Sequence, residues 1–176
     1  MTAKYTDHYS QVIGLLTEHF GNKDLTGIEI GAGPGTLTVA LMTKAPTVKK
    51  LYSIEPFLVN KLSDQTDHFP QKVLDGNRAN FFRTTMSYLI ENRLIFLQSF
   101  SDDAVKYVPK EVDFVWVDGD HTESQVFRDI ENYLPLVKKG GIFGGHDYHI
   151  LDRLLSEYFG DKIINTGADL TWWVHV

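Results

Sequence analysis

Short apolar runs alternate with stretches of helical periodicity along most of this chain. The apolar runs are four to seven residues long and predict strands over residues 25–30, 48–54, 94–98, 112–117 and 142–145. Between them, apolar positions recur every three or four residues and predict helices over residues 5–20, 33–42, 77–90, 101–107, 123–137 and 150–159. Repeated strand–helix units of this kind form a parallel sheet with helices on both faces.

The C-terminal part of the chain departs from this alternation. Residues 162–165 and 171–176 both have the pattern of strands, and the short connection between them favours antiparallel pairing. Residues 57–76 lack a clean period and contain Pro70, so they are expected to form a loop or a short helical insertion. With no internal repeat or linker, residues 1–176 are predicted to be one domain. Its fold class is α/β, a Rossmann-like doubly wound sheet of seven strands, mainly parallel with the last strand antiparallel.

The composition narrows the class of protein. The chain has no cysteine, which excludes disulfides, cysteine-ligated metal sites and thiol nucleophiles. Its formal net charge is −6 and it has no long basic run, so a nucleic-acid partner is not expected. No apolar run approaches the roughly 20 residues of a membrane span, and the N-terminus lacks the apolar core of a signal peptide. We therefore expect a cytoplasmic protein with no membrane partner.

A glycine-rich loop separates the first strand from the helix that follows it. Glycines at positions 31, 33 and 35 allow a tight turn and a close approach of ligand to backbone, beside the amides of a helix N-terminus. A dinucleotide fingerprint would place its third glycine at Thr36, so this spacing disfavours NAD. Glu55 ends the second strand, where a carboxylate can accept both hydroxyls of a ribose. Alternatively, Glu55 only caps the turn before Pro56.

A second group of polar residues follows the fourth and fifth strands. Asp118, Asp120 and His121 come after the fourth strand, and His146 and Asp147 after the fifth. The carboxyl ends of parallel strands meet at one edge of a sheet, where ligands bind. Carboxylates there can hold a hard divalent cation, and a histidine can take a proton from a substrate hydroxyl. The two aspartates flanking Gly119 could instead be turn residues.

The glycine loop carries a resemblance to a known family. The segment Glu29-Ile30-Gly31-Ala32-Gly33-Pro34-Gly35 resembles the first motif of class I S-adenosylmethionine-dependent methyltransferases, and Glu55 stands where their ribose-binding acid does. Residues 115–121 and 139–148 resemble the small-molecule O-methyltransferases. They are most similar to the branch of macrolide-sugar and cephalosporin-pathway enzymes, with catechol O-methyltransferases more distant.

The resemblance implies a strand order of 3-2-1-4-5-7-6 and a set of site residues. It assigns a metal site, for Mg²⁺ or Mn²⁺, to Asp118, His146 and Asp147, and the role of general base to His121. His146 departs from the acid that relatives carry there. The residues implied to bind the cofactor S-adenosylmethionine are Glu29, Gly31, Ala32, Gly33, Gly35, Thr36, Glu55, Ser99, Phe100, Ser101 and Asp118.

The function expected from this resemblance is transfer of a methyl group from S-adenosylmethionine to a hydroxyl of a small molecule, assisted by a divalent cation. A methyltransferase acting on nucleic acid or protein is one alternative, although the acidic charge and the lack of an Asn/Asp-Pro-Pro-Tyr motif disfavour it. A non-catalytic S-adenosylmethionine-binding protein of the same fold is another.

Overall fold

Strands and helices alternate through the structure, a computed structural model that describes residues 8–59, 69–160, 162, 165–166 and 170–176. None of the helices in these ranges is long and apolar enough to cross a membrane. The short 3-10 turns Val105–Tyr107 and Leu134–Leu136 extend α4 and α5. The elements are α1 (His8–Phe20), β1 (Leu25–Ile30), α2 (Thr36–Lys44), β2 (Val48–Ile54), α3 (Gln71–Ile90), β3 (Leu94–Leu97), α4 (Ser101–Ala104), β4 (Val112–Val117), α5 (Glu123–Tyr133), β5 (Val137–Gly145), α6 (Tyr148–Phe159), β6 (Asn165–Thr166) and β7 (Trp172–His175).

All the strands belong to one sheet, in the order β3-β2-β1-β4-β5-β7-β6. Strands β1 to β5 pair in parallel, and β7 runs antiparallel to β5. Six strands have four residues or more. The strand expected over residues 162–165 is reduced, within the described residues, to the two-residue β6. The prediction of seven full strands is therefore corrected to six and a short edge strand. A short edge strand exposes few unpaired backbone groups at the rim of the sheet.

Two apolar layers cover the sheet. Every residue of β4 is buried, as expected for a central strand packed on both faces. On one face, α5 and α6 pack against the sheet through residues such as Ile130 and Leu155. On the other face, α1, α2 and α3 contribute Leu16, Leu41 and Phe81. This arrangement leaves the carboxyl ends of β1, β2 and β4 as one accessible edge.

Helix α3 begins earlier than the hydrophobic pattern predicts. The expected loop over residues 57–76 gives way to helix at Gln71, directly after Pro70, whose φ is −55°. The fixed φ of proline suits the start of a helix. Its missing amide costs nothing there, because the first amides of a helix have no carbonyl partner within the helix. Pro70 therefore initiates the helix. Residues 60–68 of the same expected loop lie outside the described residues.

The boundary between α5 and β5 also differs from the prediction. The hydrophobic period predicts a helix that ends at Val137. Instead, regular helix ends at Tyr133 and β5 begins at Val137. Pro135 lies in the intervening 3-10 turn, where its missing amide ends the helical hydrogen bonds. Gly140, with a φ of +80°, lies within the strand and donates its amide to Val176 O at 2.7 Å.

A close pair between the central strands generates a stability prediction. Gly27 of β1 lies opposite Phe114 of β4, and a Cβ at Gly27 would lie 2.1 Å from Phe114 Cζ. We expect Gly27→Ala to lower the free energy of unfolding by about 1–3 kcal/mol, because the buried ring must move. Gly27→Ala combined with Phe114→Leu should recover part of the loss.

The matched control is Gly76→Ala, at an exposed position of α3 where a Cβ meets nothing within 4 Å. It should raise stability by about 0.5–1 kcal/mol, because alanine is the better helix former. Urea unfolding measures both effects. If Gly27→Ala were as stable as the wild type, the Phe114 ring would not need the space that the missing Cβ of Gly27 leaves.

Candidate cofactor-binding and catalytic site

The ends of β1 and β4 touch at Gly31. This glycine has a φ of +87°, and a Cβ on it would lie 2.1 Å from the backbone oxygen of Asp118. The amide of Gly31 donates to Ile54 O at 2.9 Å, and the amide of Asp118 donates to Ile30 O at 2.8 Å. Glycine is therefore required here by both backbone conformation and space.

The next glycine of the loop faces open space. Gly33 has a φ of +49°, and a Cβ on it would meet no protein atom within 4 Å. Its amide donates to Glu55 Oε2 at 3.0 Å. Gly35 differs, because a Cβ there would lie 3.1 Å from Phe81 Cδ2. The loop is thus packed at its two ends and open in the middle.

A cavity of about 720 Å³ opens at this edge of the sheet, a volume typical of a small-molecule site. The general-base candidate His121 lines it, whereas the metal candidates His146 and Asp147 do not. Six of the eleven residues assigned to the cofactor also line it, namely Gly31, Gly33, Glu55, Phe100, Ser101 and Asp118. The other five are outside the described lining, namely Glu29, Ala32, Gly35, Thr36 and Ser99.

Glu55 is held at the cavity wall by two backbone amides. Its Oε2 accepts from Gly33 N at 3.0 Å and its Oε1 from Phe57 N at 2.9 Å. Burial raises the pKa of this carboxyl group, while the two amides oppose the shift. Each carboxylate oxygen keeps a further lone pair, so Glu55 can still accept hydrogen bonds from a ligand.

Glu29 lies beneath the loop. It is 1% exposed and accepts hydrogen bonds from the hydroxyls of Thr38, at 2.6 Å, and Ser53. Its pKa is raised, mainly by burial. These bonds join β1 to α2 and β2, so Glu29 supports the glycine loop from within the protein.

A cluster of two histidines and two aspartates follows β4 and β5. His121 Nδ1 lies 2.9 Å from Asp147 Oδ2, and His146 Nδ1 lies 3.3 Å from Asp147 Oδ1. His146 Nδ1 is also 3.9 Å from Asp118 Oδ1. Asp147 adopts a left-handed conformation with a φ of +60°, which is uncommon for a residue other than glycine. The carboxylate of Asp147 thus bridges the two rings.

The charges in this cluster shift one another's pKa. The hydrogen bond to Asp147 raises the pKa of His121 despite partial burial. Hydrogen bonds from the two histidines hold the pKa of Asp147 far below its usual range. Burial instead raises the pKa of Asp118 to about 7, although both histidines oppose the shift.

Three groups of the cluster are close enough together to surround a cation. Oxygen atoms of Asp118 and Asp147 and a ring nitrogen of His121 all lie within 4.8 Å of one another. Among the described residues, this set contains His121 where the sequence analysis expected His146. His121, which the sequence predicts to be the general base, is therefore also placed to be a ligand of the cation.

A family model described as a methyltransferase domain matches residues 28–148 of this chain. The chain belongs to this methyltransferase family. The match contains the glycine loop, Glu55 and the whole histidine–aspartate cluster.

One curated relative resembles this chain at low identity. Uncharacterized protein R132 of Acanthamoeba polyphaga mimivirus is 26% identical over 139 residues, which cover 76% of this chain. The chain spans 56% of the length of that curated relative.

Solved structures share the fold at low identity. An rRNA methylase from Streptococcus thermophilus is 14% identical with a TM-score of 0.66, covering 98% of this chain and 96% of its own. The SAH-bound methyltransferase PaMTH1 of Podospora anserina is 12% identical with a TM-score of 0.68, covering 96% and 77%. Spermidine synthase from Thermotoga maritima is 15% identical with a TM-score of 0.62, covering 94% and 57%. These likenesses show the class I methyltransferase fold, which carries more than one reaction.

Three polar residues of α5 border the site and were missed by the sequence analysis. Gln125, Asp129 and Tyr133 are buried and contact Ser101 or one another. Their spacing of four residues places them on one helix face, next to the apolar positions that predict the helix. The four-residue spacing could have indicated that these side chains act together. It was not used because a polar residue on a helix usually faces solvent.

Asp129 generates a pH prediction. Burial raises its pKa to about 7, helped by Asp102 and opposed by Ser101, Gln125 and Arg128. The unfolded chain loses this proton near pH 3.8 and the folded protein near pH 7, so the carboxyl group lowers folding stability progressively across that range. Asp129→Asn removes the ionisation.

Relative to Asp129→Asn, the wild type should therefore lose about 2–3 kcal/mol of stability between pH 5 and pH 8. Urea unfolding of both proteins at the two pH values measures this difference. Asp118 titrates in the same range but is present in both proteins, so its contribution cancels. A stability difference that does not change with pH would contradict the assigned ionisation of Asp129.

Proposed function

We propose that this methyltransferase transfers the methyl group of S-adenosylmethionine to a hydroxyl of a small molecule. The observation that carries the proposal is that His121 lines the cavity that begins at the glycine loop and is paired with Asp147 outside that lining. The pair offers a general base beside the place where the fold binds its cofactor. In this proposal the protein needs no nucleic-acid or membrane partner.

The residues at the loop fit S-adenosylmethionine. The space beside Gly33 is not used by any protein atom within 4 Å, and Glu55 has lone pairs for two ribose hydroxyls. Ser101 and Phe100 would lie at the purine end, and Asp118 near the sulfur. The cofactor supplies a methyl group activated by a positively charged sulfur. The buried carboxyl groups around the cavity suit such a cationic ligand.

The chain supplies the group that takes the acceptor's proton. With Nδ1 of His121 donating to Asp147, the proton-accepting nitrogen is Nε2. The raised pKa of His121 makes that nitrogen a stronger base. A hydroxyl placed against Nε2 loses its proton to the ring as its oxygen accepts the methyl group, so no covalent bond to the protein is needed.

A divalent cation is the second candidate for activating the hydroxyl. Asp118, His121 and Asp147 would hold it, since two carboxylates and an imidazole suit Mn²⁺ better than the all-oxygen preference of Mg²⁺. The cation would lower the pKa of a bound hydroxyl. A ring whose Nδ1 is coordinated keeps its Nε2 proton, so His121 cannot be ligand and base at once.

The charge of the cavity favours a small neutral or cationic acceptor over a nucleic acid. Six carboxyl groups belong to the described lining, against the single guanidinium of Arg128. Arg128 is itself paired with Asp102 at 3.2 Å. A phosphate backbone would meet repulsion here without enough basic groups to offset it.

Cofactor binding tests the first half of the proposal. We expect calorimetry to show binding of S-adenosylhomocysteine, and Glu55→Gln to weaken it by about 10–100-fold through loss of charged hydrogen bonds. The control is Glu91→Gln, at a half-exposed position outside the cavity lining, where the carboxylate pairs with Arg93. Absence of binding by the wild type would refute the proposed cofactor.

Turnover tests the role of His121. With a panel of catechols, phenols and hydroxylated sugars as acceptors, His121→Ala should lower the rate of S-adenosylhomocysteine release by about 10²–10⁴-fold. Its affinity for S-adenosylhomocysteine should stay within about threefold of the wild type. His149→Ala, at an exposed histidine, is the control. Methylation of rRNA or tRNA instead of the panel would contradict the small-molecule assignment.

Chelation distinguishes the base from the cation. If His121 is the base, activity should survive dialysis against EDTA. Added Mn²⁺ should then inhibit, because it would bind His121 and Asp147 and block the base. If activity is lost and Mn²⁺ restores it, the cluster is a metal site and the assignment of His121 as the base is wrong.

A further inference from the structure

The carboxylate of Asp147 lies at the start of α6 but does not cap that helix. Asp147 directly precedes Tyr148, the first residue of α6, and within this described helix its side chain accepts no capping hydrogen bond. An aspartate at such a position usually accepts a hydrogen bond from a free amide of the first turn, and its backbone is usually extended. Asp147 instead has a φ of +60° and a ψ of +34°. The helix therefore forgoes a stabilising cap.

The peptide before Asp147 is fixed by hydrogen bonds to two strands. The amide of His146 donates to Val117 O at 3.0 Å, and the carbonyl of His146 accepts from Trp172 Nε1 at 2.9 Å. Trp172 is 0% exposed. A residue other than glycine keeps a left-handed conformation only where its surroundings enforce it, and such residues cluster at functional sites. The surroundings of Asp147 thus hold its side chain in a direction that the helix does not use.

That direction places the carboxylate of Asp147 between two imidazole rings. Its Oδ2 lies 2.9 Å from His121 Nδ1, and its Oδ1 lies 3.3 Å from His146 Nδ1. The terminal torsion of an aspartate has a broad, two-fold preference, so a single contact leaves the carboxylate free to turn. A contact at each oxygen removes that freedom. One ring can therefore hold the carboxylate while the carboxylate holds the other ring.

The two rings differ in their access to the cavity. His121 belongs to the described lining, whereas His146 does not. The Nδ1 atom of His146 has two acceptors nearby, since Asp118 Oδ1 lies 3.9 Å from it in addition to the closer oxygen of Asp147. A ring nitrogen that donates a proton has no lone pair for a cation. The position of His146 therefore suits a hydrogen-bond donor behind the site.

We propose that His146 is a positioning residue, which holds Asp147 so that His121 keeps its proton on Nδ1 and presents Nε2 to the acceptor. His146 donates from Nδ1 to one oxygen of the carboxylate, and the other oxygen accepts from His121. The tautomer of a histidine is set by the hydrogen bond that its other nitrogen makes. The inference rests on the proposed function, because it assigns His146 a role in orienting the proposed base.

A role limited to filling space makes different demands on position 146. The side chain would only need to occupy the volume between the ends of β4 and β5, and the place of its donor would not matter. Orientation of Asp147 instead requires a donor where Nδ1 now lies. In His146→Asn the amide nitrogen takes the place of Nδ1, whereas in His146→Gln it lies near the place of Nε2. These two variants are both polar and differ mainly in where the donor is. His146→Leu has no donor.

The tautomer of His121 tests the inference without cofactor or acceptor. Long-range ¹H–¹⁵N correlation spectra, recorded at about pH 9 where a histidine ring is largely neutral, show which nitrogen carries the proton. We expect the proton on Nδ1 in the wild type and in His146→Asn. In His146→Gln and His146→Leu the population should shift toward a proton on Nε2. The control is His149→Leu, at an exposed histidine of α6, which should leave the His121 signals unchanged.

Steady-state kinetics gives a second readout. With the acceptor that the wild type methylates, kcat of His146→Leu and His146→Gln should fall by about 10–100-fold, as expected for loss of a hydrogen bond to a charged group. The KM of each should stay within about threefold, because the inference gives His146 no contact with the acceptor. Both parameters of His146→Asn should stay within about threefold of the wild type.

The wild-type tautomer in His146→Leu, or equal behaviour of the asparagine and glutamine variants, would overturn the role of His146. His121 could still be the base in either case. A wild type that methylates no acceptor would overturn the proposed function, and the spectra would still decide whether His146 orients the His121 ring. Circular dichroism identifies any variant that does not fold. If His146→Leu is such a variant, the comparison of His146→Asn with His146→Gln decides.

Discussion

The contact between the ends of β1 and β4 is the constraint on which the site depends. Gly31 and Asp118 approach so closely that no Cβ fits between them. These two strands lie at the centre of the sheet, where the strand order changes direction. The loops after them therefore diverge to opposite faces and open a crevice. The glycine loop forms one side of it, and the residues from Asp118 to His121 form the other.

Burial of charge gives this crevice its chemical character. Glu55, Asp118 and Asp129 line it and have raised pKa values, in each case mainly because they are withdrawn from water. Asp147 is the exception, since two histidines stabilise its charge. The result is a row of weakly acidic carboxyl groups beside one strongly ionised carboxylate. The ionised carboxylate of Asp147 lies outside the cavity lining and contacts the ring of His121, which belongs to that lining.

Hydrophobic periodicity predicted the strand–helix order because burial on one or both faces of an element leaves a repeat in the sequence. It was less successful at boundaries that depend on a single backbone group. Pro70 starts α3 and Pro135 ends α5, yet proline alone does not indicate which side of it is helical. The short β6 was overestimated for a related reason. Within the described residues, this edge strand pairs with β7 alone, through Asn165 and Thr166.

The sequence by itself determined the glycine spacing and the polar residues that follow β4 and β5, because these are local signals placed by the βα repeat. Only the tertiary structure decided that Asp147 bridges His121 and His146, since that depends on the left-handed conformation of one residue. It also decided that α5 reaches Ser101 through Gln125 and Tyr133. Those contacts join residues more than 20 positions apart across two packed elements, and no periodicity within either element records which residue of the other lies opposite.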